Sequence, residues 1–244
     1  MNTRHGNAMS QSYKLNYDAH ARRQAPDDLH RQVRRTIDGK PVSGDQVELI
    51  LLAIRDGLRL SRGDRILELA CGNGVLSHHL FNTCSEYLGV DISPYLVDVA
   101  RANFAIPPTH NFEVVDCIEY LNHEVRPERF TKALVYAGIQ YFTDLEVVAI
   151  LTTLHDRFRN LERVFVGNIP DNDQLYNFLS SFLSDSSPLE SGPDTPIGVW
   201  RSKDEFLSLV RDSGWQIEFS VMPEKFYASH YRYDVTLTRG ERAQ

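Results

Sequence analysis

Arg65-Ile66-Leu67-Glu68-Leu69-Ala70-Cys71-Gly72-Asn73-Gly74 is the stretch that decides the fold. Its first half reads as a buried parallel strand carrying a carboxylate at Glu68. The second half breaks into a tight Gly-x-Gly turn, and a helix is expected to begin around Val75. A turn of this kind brings backbone N–H groups close to a small ligand, because glycine has no Cβ to hold the ligand away. The acid ahead of the turn favours a ligand with a positive group over one bearing phosphates.

Working outward, Ser61-Arg62-Gly63-Asp64 reads as the turn before the strand. Val47, Ile50, Leu51, Ile54 and Leu58 form a helical stripe over Asp45 to Leu58. Downstream the chain alternates. Strands are expected at Tyr87–Asp91, Phe112–Asp116, Phe130–Ala137 and Arg163–Gly167. Helices are expected at Pro94–Ala102, with Ser93 as N-cap and Pro94 at its first position, and at Leu145–Phe158. Alternation of this kind implies right-handed crossovers and an α/β, doubly wound, mostly parallel sheet. Past Leu175–Leu183, which looks helical, residues 184–198 are loop-like in composition. Helix returns at Lys203–Asp212 and stops at Gly214. Trp215–Met222 and Tyr231–Thr238 then read as two strands with no helix between them, hence an antiparallel pair.

Three acids, Glu68, Asp91 and Asp116, are expected at or near successive strand ends, where open α/β sheets bind ligands. A dinucleotide fingerprint would need a glycine where Ser77 stands, and a pyrophosphate would be repelled by Glu68 with no Lys or Arg in the turn to offset it. The Gly-x-x-x-x-Gly-Lys-Ser/Thr loop of nucleotide hydrolases is absent.

Residues 64–140 resemble the cofactor-binding half of class I, Rossmann-like, S-adenosylmethionine-dependent methyltransferases of the small-molecule type. Glu68-Leu69-Ala70-Cys71-Gly72-Asn73-Gly74 is similar to that family's first motif, with alanine where a glycine is usual. The resemblance implies a seven-stranded, mostly parallel sheet with one antiparallel strand. It also implies S-adenosylmethionine as cofactor, with S-adenosylhomocysteine as product. By the same resemblance Glu68, Ala70, Cys71, Gly72 and Gly74 lie along the methionine part. Asp91 accepts from both ribose hydroxyls and Ile92 lies against adenine. Asp116 meets the adenine amino group and Cys117 supplies a backbone contact. Tyr136-Ala137-Gly138-Ile139-Gln140-Tyr141-Phe142 resembles the segment beside the transferred methyl, and the aromatic faces of Tyr136 and Tyr141 suit a sulfonium. The segment Gly198 to Phe206 resembles the entry to the family's last helix.

The catalytic base stays unassigned. Many relatives carry histidine near Gln140-Tyr141, and the candidates here are Tyr141, His20 and His230. Residues 1–44 are expected to be an N-terminal arm covering the site, and 45–244 a methyltransferase domain with a substrate-lid insertion around 169–200. Tyr13, Tyr17 and Arg22 of the arm, with Tyr176 and Trp200 of the insertion, are the substrate-binding candidates. No His, Asp or Glu cluster has metal spacing, so no metal is expected. Lys plus Arg number 26 and Asp plus Glu 33, a net charge of −7, which disfavours nucleic acid as partner. No apolar run approaches the roughly 20 residues that span a bilayer. Met1–Ser10 lacks the apolar core of a secretion signal, and Cys71, Cys84 and Cys117 show no CxxC spacing. A cytoplasmic location and no membrane follow as expectations. The expected activity is methyl transfer to an oxygen or nitrogen of a small molecule, such as a sugar or secondary metabolite. The alternatives are methylation of RNA or protein, and a cofactor-binding partner subunit without activity. A homodimer is left open.

Overall fold

The structure is a computed structural model and describes residues 17–182, 191–193, 195 and 197–240. Its centre is a seven-stranded sheet: β1 Arg65–Leu69, β2 Glu86–Asp91, β3 His110–Val114, β4 Lys132–Tyr136, β5 Arg163–Pro170, β6 Trp215–Ser220 and β7 Arg232–Arg239. The strand order is β3-β2-β1-β4-β5-β7-β6. All neighbours from β3 to β5 pair in parallel, whereas β7 pairs antiparallel with both β5 and β6. β7 is therefore the single reversed strand, the arrangement the sequence implied. The order reverses at β1, so the crevice at its carboxyl end is the place where such sheets hold ligands.

Helices cover both faces: α1 Gly44–Leu58, α2 Pro94–Phe104, α3 Cys117–His123, α4 Asp144–Arg157, α5 Leu175–Phe182 and α6 Lys203–Val210. The α1 stripe Val47, Ile50, Leu51, Ile54 and Leu58 is buried on one face against Ile66, Leu134 and Phe165. On the opposite face Val147, Ile150, Leu151 and Leu154 of α4 pack with Leu67, Val135 and Val166. Side chains of alternate strand residues thus divide between two cores, as a sheet buried on both sides requires. Ser93 caps α2 by accepting from Leu96 N at 3.2 Å, with Pro94 in the first turn. Thr143/Glu146 and Ser202/Glu205 form reciprocal capping boxes on α4 and α6.

Two local expectations are corrected. The segment after the Gly turn is a 3₁₀ helix, Ser77–Thr83, not an α-helix from Val75. The third strand ends at Val114, paired to Asp91, rather than running to Asp116. Asp116 instead caps α3, accepting from Ile118 N and Glu119 N at 2.9 and 3.2 Å, a role that suits aspartate better than a strand end. α3 itself carries no clear stripe in the sequence. The loop expected over 184–198 lies largely outside the described residues.

Candidate active site

β1 delivers the chain into a turn with three residues in the left-handed region: Ala70 at φ 55°, Gly72 at 58° and Gly74 at 72°. The unusual residue of the motif, Ala70, therefore sits where glycine is free of strain and alanine costs roughly 1 kcal/mol. At Gly74 a Cβ would lie 2.8 Å from the Phe112 ring, so this glycine serves the close approach of the turn to β3. Gly72 donates its N–H to Asp91 Oδ2 at 2.8 Å, and Asp91 Oδ1 accepts from Ser93 N at 2.8 Å. Asp91 thereby ties the turn to the start of α2. Each of its oxygens keeps a second lone pair for a ligand hydroxyl.

One cavity of about 890 Å³, counting its open mouth, lies across the carboxyl ends of β1, β2 and β4. It brings together ten of the expected cofactor residues: Glu68, Ala70, Cys71, Gly72, Asp91, Ile92, Asp116, Cys117, Tyr136 and Tyr141. Gly74 does not line it and acts through packing.

The N-terminal segment closes one side. Residues 17–22 are helical, Leu29–Gln32 form a short helix, and Thr36–Ile37 pairs with Lys40–Pro41 in a hairpin. Asn73, buried at the tip of the Gly turn, donates to Leu29 O at 2.8 Å and to Gln32 Oε1 at 3.0 Å. Asp18 accepts from Ser93 Oγ and from Tyr95 N, and Tyr17 donates to Val33 O at 2.8 Å. Tyr17 lines the cavity, its ring 5.9 Å from that of Tyr141.

The charges at the β1 end are unusual. Glu68 is 2% exposed and accepts from the hydroxyls of both Ser77 and Tyr87. Burial lifts its carboxyl to about 7, against those two hydrogen bonds and the positive charge of Arg35. Arg35 also lines the cavity, and its Nη1 is buried with no hydrogen-bond partner. An acid and a guanidinium that face one cavity without pairing to each other suit a zwitterionic group, with the ammonium toward Glu68 and the carboxylate toward Arg35. The cavity thus fits a nucleoside with an amino-acid tail: hydroxyl acceptors at Asp91, room at Gly72, opposite charges at the tail. Nothing in the local sequence marks Arg35, because the structure alone carries it some thirty positions back to the turn.

At the β4 end Tyr136 and Tyr141 line the cavity. Tyr136 is 6% exposed, and burial holds its phenol well above the usual range, so it stays neutral. The remaining expected residues are not gathered there. His20 faces Arg31 O at 3.0 Å, and His230 is exposed beside Tyr231. Arg22 pairs with Asp18 at 2.6 Å and lies over the Tyr95 ring. Tyr176 is 79% exposed. Trp200 is buried against Phe178 and Tyr231 and does not line the cavity. Tyr13 lies outside the described residues. Among the described residues no group of His, Cys, Asp and Glu is placed to hold a metal ion, and no helix is long and apolar enough to cross a membrane.

Residues 66–160 match the family described as "Methyltransferase domain". An uncharacterized methyltransferase of Schizosaccharomyces pombe is 24% identical over 176 residues, 66% of this chain and 63% of the relative. The mitochondrial ubiquinone biosynthesis O-methyltransferase of the same yeast is 29% identical over 91 residues, 30% of this chain and 33% of the relative. The chain thus spans less than two thirds of the length of these curated relatives. Among solved structures, the complex of DhpI with SAH superposes with a TM-score of 0.64 at 14% identity, over 96% of this chain and 98% of that one. At such identity the likeness is one of fold.

Proposed function

On the premise that this chain is a class I, Rossmann-like, S-adenosylmethionine-dependent methyltransferase, we propose that it transfers the sulfonium methyl group to an oxygen or nitrogen of a small molecule. The observation that carries the reading is the cavity in which the Gly72 turn, the Asp91 carboxylate, the buried Glu68 and the Arg35 guanidinium meet. Asp91 would accept from the ribose hydroxyls, with Ile92 beside the base. Glu68 and Arg35 would hold the ammonium and carboxylate of the methionine tail. Bound there, S-adenosylmethionine supplies an electrophilic methyl carbon.

The chain's own task is to place a nucleophile in line with that carbon, at about 3–3.5 Å, and to exclude water. Tyr136 and Tyr141 would face the sulfonium, each worth roughly 0.5–2 kcal/mol through its ring. The strap of residues 17–35, tied to the turn by Asn73, lines one side of the cavity through Tyr17, Val33 and Arg35, which favours a small acceptor over a polymer. The name of one relative, an O-methyltransferase of ubiquinone biosynthesis, points in the same direction.

The test is calorimetry with S-adenosylhomocysteine, NAD and ATP in parallel, followed by a methyl-release screen. Micromolar binding of S-adenosylhomocysteine alone is the expected result. Uptake of NAD or ATP in its place would overturn the reading, and binding without turnover on any acceptor would favour an inactive partner subunit.

A further inference from the structure

Asp234 is a buried acid that takes no part in the cofactor site described above. It is 2% exposed, and burial lifts its carboxyl to about 6, against a backbone hydrogen bond and the Arg232 charge. Asn168 N donates that bond to Asp234 Oδ1 at 2.7 Å. Among the described residues no hydrogen bond reaches Oδ2. A serine or asparagine could accept from Asn168 without burying a charge, so capping that amide does not account for an acid here.

The sheet register sets this acid in line with Tyr136, which lines the cavity. Tyr136 of β4 pairs with Gly167 of β5. On the other edge of β5, Val166 pairs with Val235 and Ile169 with Tyr233, so a bulge sets Gly167 and Asn168 together against Asp234. Asn168 takes a left-handed φ of 67° in that bulge. Val235 and Leu237 pack in the core on the α4 side, so Asp234 faces the α1 side, where Tyr136 packs. Tyr136, Gly167 and Asp234 thus form one row across three strands at the carboxyl end of β4. Two strand spacings, about 10 Å, separate the Cα atoms at its ends. The middle residue is a glycine for a reason. A Cβ on Gly167 would lie 2.6 Å from Tyr136 Cδ2 and 2.8 Å from Cε2, so the ring leans over it toward β7. In the neighbouring row, Leu134, Phe165 and Thr236, a phenylalanine ring fills the middle instead.

Both ends of the row are open to proton traffic. No hydrogen bond engages the Tyr136 hydroxyl among the described residues. Of the ionisable groups that act on its phenol, Asp234 acts most strongly, ahead of Tyr227, Arg35 and Arg232. Arg232 favours the ionised form of Asp234, and its Nη1 is held by Asn168 O at 2.5 Å.

We propose that Tyr136 and Asp234 together supply the base of the reaction, Tyr136 as the catalytic residue that meets an acceptor hydroxyl and Asp234 as the positioning residue that acts through it. The inference rests on the methyl-transfer reading above and narrows its acceptor to a hydroxyl. The acceptor O–H gives its proton to the Tyr136 oxygen while the Tyr136 proton passes along the row to Asp234 Oδ2. The acceptor oxygen forms the new C–O bond with the methyl carbon, and the C–S bond breaks with its electron pair passing to sulfur. A carboxylate and a sulfonium become a neutral acid, a neutral ether and a neutral thioether, and the acid later yields its proton to water. A neutral amine would need only positioning and no such pair.

The experiment follows turnover of methyl-labelled S-adenosylmethionine by the full chain with aliphatic alcohols, phenol, 4-nitrophenol and primary amines. For phenol and the alcohols kcat should rise with pH through about 6, as Asp234 ionises. D234N keeps an oxygen to accept Asn168 N, and it should lower kcat for these acceptors by on the order of 10²–10⁴-fold with KM little changed. The limb near pH 6 should vanish with it, and S-adenosylhomocysteine affinity should stay the same. For 4-nitrophenol, which ionises unaided near neutral pH, the loss should be less than tenfold. Y136F, which keeps the ring over Gly167, should show the same pattern and carries the test should D234N fail to fold. Equal losses for phenol and 4-nitrophenol, a limb retained in D234N, or turnover confined to amines overturns the base proposal while leaving methyl transfer intact. Failure to bind S-adenosylhomocysteine, or no turnover of any acceptor, overturns the underlying reading instead.

Discussion

Glu68 offers the sharpest quantitative test. Its carboxyl titrates at about 7 because it is buried, and a cationic ligand tail would require the ionised form. A group with that value is about 10% ionised at pH 6 and about 90% at pH 8, so affinity for S-adenosylhomocysteine should rise about tenfold across this interval. Calorimetry at pH 6, 7 and 8 measures it, and buffers of different ionisation enthalpy should reveal proton release on binding at pH 6. E68Q, which can still accept from Ser77 and Tyr87, should bind more weakly at pH 8 and lose the slope. Stability should move the opposite way. The folded value lies above the ordinary 4.5, so the native state holds the proton more tightly than the unfolded chain. The contribution of Glu68 is most favourable below pH 4.5, declines as pH rises from 4.5 to about 7, and levels off above that. The loss amounts to roughly 3 kcal/mol. E68Q should therefore be more stable than the parent at pH 8 in urea melts, though it binds less well. An affinity that stays level between pH 6 and 8 in the parent protein, or a slope retained in E68Q, would refute the electrostatic argument.

Three further outcomes are expected. R35M should weaken S-adenosylhomocysteine by about 10–100-fold, the worth of a charge-assisted hydrogen bond, yet leave 5′-methylthioadenosine, which lacks the amino-acid tail, unaffected in the same calorimeter. A70G relieves a left-handed alanine and should stabilise the fold by up to ~1 kcal/mol, visible as a rise of a few degrees in Tm. N73A removes two buried hydrogen bonds to the strap, about 2 kcal/mol together. Limited proteolysis should then cut first within residues 17–35, and more slowly once S-adenosylhomocysteine is present.

The strand Arg65–Leu69, the turn behind it and the reversed strand at the sheet's far side were legible in the sequence. Each is written in local terms: apolar runs, glycines, and two strands with no helix between them. The same holds for Ser93 and Pro94 at the start of α2, where cap chemistry is confined to four residues. Local rules failed where length or neighbours mattered. The 3₁₀ form of Ser77–Thr83 leaves no mark in its own residues, and the end of β3 is set by cap competition at Asp116. Tyr176 and Arg22 are aromatic and basic in the sequence, but neither reaches the cavity.

What the sequence by itself determined is the sheet, the Gly turn and the row of acids beside it, because strand periodicity and backbone freedom act over a few residues. Only the tertiary structure decided the charge map of the cavity. Arg35 reaches the turn from the N-terminal strap, and Glu68, buried beside it, titrates near neutrality. Charge state and pairing depend on which distant groups share a desolvated space, and chain order carries no record of that.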